Sequence, residues 1–194
     1  MRQGAGAFKL DLAGVIADEE NDLTPTMRRL LSELWEELRA LEERIADVSR
    51  GIEATATTHD VARRLATIPG IGPLGATAII AAVGEGRQFR KARDLAAWIG
   101  LVPRQHSTGG KTTLLGISKR GNPYIRRLLI HGACSCLMHL DRSRDRLGAW
   151  LDQLRARMHP NKVVVALAAK MARVAWVILN RPGALYERRD PAFA

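Results

Sequence analysis

Ile68-Pro69-Gly70-Ile71-Gly72-Pro73 separates two helix-forming apolar runs, Val61 to Thr67 and Leu74 to Val83. Pro69 closes the first run because it cannot donate into a helix. Pro73 suits the first turn of the second, where a missing N–H is harmless. Gly70 and Gly72 permit a tight turn and close backbone approach. Helix, glycine turn, helix is the layout of a helix-hairpin-helix, whose second helix offers free N–H groups and its positive dipole end to a phosphate. A plain tight connection between two helices is the other reading of the same residues.

Helical pattern continues downstream. Arg93 to Ile99 reads as a short helix stopped by Gly100, and Leu101-Val102-Pro103 leads into a glycine-rich loop over residues 104–113. Asn122-Pro123 opens a helix reaching about Leu140. Further helices follow near Leu147 to Arg157 and from about Lys162 to Leu179, before Arg181-Pro182-Gly183. The one place for strands is a short pair bracketing Gly109-Gly110. Arg142, Arg144 and Arg146 fall in a charged linker, read either as solvated or as further phosphate contacts.

Upstream, Thr24-Pro25 starts a helix with a hydroxyl at its N-cap. Met27, Leu31, Leu34, Leu38, Leu41, Ile45, Val48 and Ile52 then follow at alternating spacings of four and three. That is the repeat of a coiled-coil seam, and Glu36, Glu37, Arg39, Glu42, Glu43 and Arg44 flank it. Such a helix cannot bury its stripe alone. Its partner is another copy, another part of the same protein, or its own domain, and a homo-oligomer through residues 26–52 is the expectation. The spacing thus predicts an all-α fold: a frayed terminus over 1–23, a long N-terminal coiled-coil helix over 24–60, a compact helical domain with a helix-hairpin-helix over 61–186, and a tail over 187–194.

A chain of 194 residues with 46% hydrophobic and 26% charged residues can bury one good core. Its most apolar stretch, Val163 to Leu179, is interrupted by Lys170 and Arg173, and no secretory signal is read. A cytoplasmic chain without a membrane partner is expected. Cys134 and Cys136 lack a second metal-binding pair and read as reduced core thiols. His131 and His139 have no acidic partner four residues on, and Trp35, Trp98, Trp150 and Trp176 sit outside any basic aromatic cluster; all read as packing residues.

The formal charge of +10 hides a division: residues 1–60 hold 7 Lys/Arg against 13 Asp/Glu, and residues 61–194 hold 23 against 7. Net charge is therefore −6 and then +16. Between Arg87 and Arg127 there are ten basic side chains and a single acid, Asp94, around the loop Ser107-Thr108-Gly109-Gly110-Lys111. A nearly acid-free strip around small residues suits a polyanion, and nucleic acid is the commonest one. Arg104, Lys111, Lys119, Arg120, Arg126 and Arg127 are the candidate phosphate contacts, with Gly109 and Gly110 admitting the backbone. A general basic composition would not leave the first third acidic. A serine hydroxyl among cations could serve as a nucleophile toward a phosphodiester, because the cations stabilise the pentacoordinate phosphate. Ser107, Ser118 and Thr108 are the hydroxyls so placed.

Taken in order, Ile68 to Pro73, Phe89, Leu95-Ala96-Ala97-Trp98-Ile99-Gly100-Leu101-Val102-Pro103, Ser107 to Lys111, and Gly116-Ile117-Ser118-Lys119-Arg120-Gly121-Asn122-Pro123-Tyr124-Ile125-Arg126-Arg127-Leu128-Leu129 resemble one family. It is the C-terminal domain of insertion-sequence transposases of the IS-one-ten and IS-one-sixteen type, also called bridge-RNA-guided recombinases. Similarity runs from about Leu65 to Leu140, and more loosely to Tyr186, and the acidic heptad helix matches the coiled coil that precedes this domain. The resemblance implies serine recombinase chemistry on DNA, with the family's serine falling on Ser107, and a structured guide RNA as a further partner.

Members of that family carry a RuvC-like domain whose scattered acids hold magnesium. Here Asp11, Asp18, Glu19, Glu20 and Asp22 are crowded into the segment before the heptad helix, and none is carried over. The expectation is no cofactor in this chain, magnesium entering only with a RuvC-like domain, and no cutting or joining of DNA by the chain alone. A catalytically inert DNA- or RNA-binding remnant that dimerises through its coiled coil is the alternative, and a repair accessory using only the hairpin is a third reading.

Overall fold

The structure is a computed structural model and describes residues 5–141 and 146–188, among which lie eight α-helices and one two-stranded sheet. Arg142 and Arg144 of the charged linker, and residues 189–194 of the tail, lie outside the described residues. The chain divides at Gly51/Ile52 into two compact units.

In the first unit, α1 (Ala5–Ala17) is helical where the sequence shows no period. Phe8, Leu10, Leu12, Val15 and Ile16 do not fall on one stripe, so periodicity gives no signal there, and only Leu12 is buried among them. Polar side chains join it to the next helix. Asn21 Nδ2 donates to Val15 O at 2.6 Å, Arg28 donates to Asn21 Oδ1 at 2.9 Å and also to Ile16 O, and Lys9 pairs with Glu42. The second helix, α2 (Pro25–Thr58), starts as its sequence dictates, with Thr24 Oγ1 accepting from the Met27 N–H at 3.2 Å. Its 34 residues run about 50 Å. Met27, Leu34, Leu41, Ile45 and Val48 of the seam are exposed, and Leu31, Leu38 and Ile52 are half-buried.

The second unit is built around one helix. It comprises the end of α2 from Ile52, with Ala56 buried, then α3 (Asp60–Leu65), α4 (Pro73–Val83), α5 (Ala92–Trp98), β1 (Pro103–Thr108), β2 (Lys111–Ile117), α6 (Pro123–His139), α7 (Arg146–Arg155) and α8 (Pro160–Asn180). Helix α8 packs against α3, α5, α6 and α7. Among the described helices it alone is long and apolar enough by composition to cross a membrane. Here it fills the core instead: Val163, Leu167, Ala168, Met171, Ala172, Ala175 and Ile178 are buried against Leu65, Leu95, Ile99, Ile125, Leu129 and Leu151. Cys136 is buried, Cys134 half-buried, and both are free thiols. Trp98 is exposed and stacks at a tilt on Phe89 with 5.7 Å between ring centroids, while Trp176 Nε1 donates to Phe89 O at 3.1 Å.

A buried charge ties the chain's end to this core. Arg64 is 7% exposed; its Nη1 donates to the carbonyls of Ile178, Arg181 and Ala184 at 2.8, 3.1 and 3.3 Å, and its Nε to Asp60 Oδ2 at 2.9 Å. The hydrogen bond from Arg64 holds the Asp60 carboxyl below its ordinary value. A guanidinium so satisfied fastens the terminus of α8 to α3, and removing it would orphan three carbonyls.

Candidate functional site

Residues 104–113, expected as a loop with a possible short strand pair bracketing Gly109-Gly110, lie within an antiparallel hairpin that spans 103–117. Thr108 pairs with Lys111 across a two-residue Gly109-Gly110 connection, and both glycines have positive φ, +56° and +78°. That is the signature of the turn whose twist matches a hairpin. A Cβ at either glycine would meet nothing within 4 Å, so backbone conformation, not space, asks for glycine there. Thr113, Leu114 and Leu115 give β2 its β-branched and bulky character, yet every described side chain from Pro103 to Gly116 is exposed. The hairpin is a ribbon that meets the core at its base, where Ile117 packs, and exposes the rest of its described side chains.

Strand geometry sorts its side chains. Successive residues alternate faces, so Gln105 and Ser107 share one face and His106 and Thr108 the other. Gln105 Nε2 donates to Ser107 Oγ at 3.0 Å. His106, adjacent in sequence, projects from the opposite face to Ser107. A register shift between Pro103 and Gln105 places Arg104 at a bulge where the ribbon leaves the core.

Beneath the ribbon, two backbone segments cross at close range. A Cβ on Gly100 (φ +79°) would lie 2.2 Å from Arg120 O, and one on Gly121 (φ +73°) 1.7 Å from Trp98 O. The Lys119 N–H donates to Gly100 O at 3.2 Å, and the Ser118 N–H to Val102 O at 2.9 Å. Arg126 closes the crossing, with Nη1 donating to both Ile99 O and Arg120 O at 2.9 Å. Asn122 caps α6 by accepting from Tyr124 and Ile125 N–H groups. Lys119, held at φ +55°, is the one described non-glycine residue in left-handed backbone. Lys119, Arg120 and Arg127 are exposed, and Arg126 is half-buried. Asp94, the lone acid of the strip, accepts from the Lys91 N–H at 2.9 Å at the start of α5.

The turn after α3 has a similar cause. A Cβ on Gly70 (φ +86°) would meet Gly132 O at 2.4 Å, and one on Gly132 would meet Gly70 O at 1.9 Å. Gly70 is therefore used for packing against mid-α6, while Gly72 precedes Pro73 with nothing within 4 Å of its Cβ position. The Gly70 contact and the Arg126 clamp lie six residues apart on α6, about 9 Å along its axis. Among the predicted site residues, Ser107, Gly109, Gly110 and Lys111 share the ribbon tip. Arg104, Lys119, Arg120, Arg126 and Arg127 belong to its base, and Gly70 and Gly72 to a separate turn. Missed in the sequence were the packing roles of Gly100, Gly121 and Gly132. Gly132 carried a signal, because glycine inside a helix is costly without a packing reason.

The model of the Transposase IS116/IS110/IS902 family matches residues 62–147. The chain is 44% identical over 181 residues to the transposase for insertion sequence element IS1111A of Coxiella burnetii, covering 93% of this chain and 50% of that protein. It is 46% identical over 180 residues to a probable family 20 transposase of Pseudomonas aeruginosa, covering 93% and 53%. To the transposase for insertion sequence element IS1328 of Yersinia enterocolitica it is 42% identical over 163 residues, covering 84% and 49%. The chain thus spans about half the length of the curated relatives it matches. It belongs to the insertion-sequence transposases of the IS116/IS110/IS902 family.

Proposed function

We propose that this chain supplies the nucleic-acid-gripping and nucleophile-bearing part of a DNA transposase. The observation that carries it is the ribbon itself: Ser107 stands exposed at a glycine-tipped hairpin whose tip and base present Lys111, Arg104, Lys119, Arg120 and Arg127, within a strip whose one acid is engaged at a helix start. Phosphates would be held by these cations, and the glycine tip lets a DNA backbone approach. The helix-hairpin-helix reading of residues 61–83 adds the first-turn amides of α4, beginning at Gly72, as a phosphate cradle.

In the whole enzyme, Ser107 Oγ attacks a phosphodiester phosphorus. A serine–phosphate ester forms, the bond from phosphorus to one sugar oxygen breaks, the serine proton is released, and the departing oxygen is protonated as a sugar hydroxyl. The ester conserves the bond energy for rejoining. The family resemblance implies magnesium held by a RuvC-like domain. Among the described residues no group of three or more His, Cys, Asp or Glu could hold a metal, so these residues do not fit that ion. A structured guide RNA is the second polyanion this basic surface would take. Trapping on a nicked suicide substrate, with a RuvC-like domain supplied by fusion, tests the assignment. A DNA adduct on Ser107 that Ser107→Ala removes is expected; an adduct on Ser118 or Thr108, or undiminished strand transfer by Ser107→Ala, overturns it.

Self-association through α2 belongs to the same reading, supported by the five exposed apolar side chains along its seam. Replacing Leu34 and Leu41 by Asp should yield monomers in sedimentation. A wild-type chain that sediments as a monomer at tens of micromolar contradicts it.

A further inference from the structure

We propose that the cleft between the hairpin and α8 receives an unpaired nucleobase, its neighbouring phosphates resting on the rim. The cleft has a volume of about 810 Å³, within the range of small-molecule sites. Its wall is apolar: Leu115 and Ile117 from β2 face Val165 and Ala166 from α8. Cations stand around it, Arg93 from α5 and Lys162 and Arg173 from α8, and none of its described lining residues is a carboxylate. Arg173 is anchored there by Nε donating to Ala169 O at 3.2 Å.

That combination selects an occupant. An apolar protein segment docking here would desolvate three cations and bring no counter-charge to them, which is costly. A nucleobase has an apolar face for the slot, and the phosphates on either side of it pair with the rim. Asn161, also lining the cleft, carries an amide that can both donate to and accept from a base edge. Taking a base out of a stack costs least where it is already unpaired, so the site favours bulges and single strands over perfect duplex. Pro103 and Leu114 to Ile117 of the ribbon line the cleft, so it belongs to the same hairpin that carries Ser107 nearer its tip.

The inference rests on the reading that this chain binds nucleic acid, and the test separates the two. The full chain is titrated by fluorescence anisotropy with a perfect duplex and with the same duplex carrying a single-nucleotide bulge. Binding to the bulge should be about tenfold tighter. Leu115→Glu at an exposed strand position, and Ala166→Trp filling the slot, should each bring bulge affinity down to that of the duplex. Equal wild-type affinity for the two probes overturns the base site while leaving phosphate binding standing. So does a preference that survives both variants, or variants that abolish self-association and leave the preference intact. No binding to either probe sinks both readings.

Discussion

The ribbon of residues 103–117 and the backbone crossing beneath it are both rich in glycine and basic residues, and they use them for different ends. At the ribbon tip, Gly109 and Gly110 serve a turn in open space and the side chains around them face solvent. At the crossing, Gly100 and Gly121 exist because a carbonyl occupies the place of a side chain, and Arg126 spends its guanidinium on Ile99 O and Arg120 O. Glycine and basic residues recur in both places; accessibility separates an exposed surface from one that holds the fold.

That contrast breaks most readily at Gly121. Gly121→Val would combine left-handed strain with a clash against Trp98 O, costing about 3–5 kcal/mol in denaturant midpoint measurements. A midpoint within error of wild type would mean the close approach is no constraint. Next in size is the comparison of two adjacent arginines. Arg126→Ala should lose about 2 kcal/mol of stability by orphaning two carbonyls. Exposed Arg127→Ala should stay within about 0.5 kcal/mol yet weaken binding to all duplex sequences alike. If both arginines behave alike in both assays, the division between clamp and contact is wrong.

Much of this was legible in the sequence. Pro25, Pro73 and Asn122-Pro123 carry their caps on their face, and the helices they open lie where the pattern puts them. Helix α1 was not legible, because its apolar residues fall on every side. The hairpin was legible only at Gly109-Gly110: β1 is exposed throughout and, among the described residues of β2, only Ile117 at its end packs on the core, so the strands lack the alternation of polar and apolar residues that marks a half-buried strand. Charge located the strip, and no reading of charge could show that Arg126 faces carbonyls, since the partners, Ile99 and Arg120, are set by a tertiary crossing. Gly70 likewise shows in sequence as a turn residue and in space as a packing residue.

The central claim is that the exposed cations beside the ribbon grip phosphates, and the salt dependence of duplex binding by the full chain tests it most directly. With about six phosphate contacts, log K should fall against log salt with a slope near −5, roughly a thousandfold between 50 and 200 mM, and Arg127→Ala should reduce that slope by about one. A flat response to salt, or no complex at the lowest salt, would contradict the account.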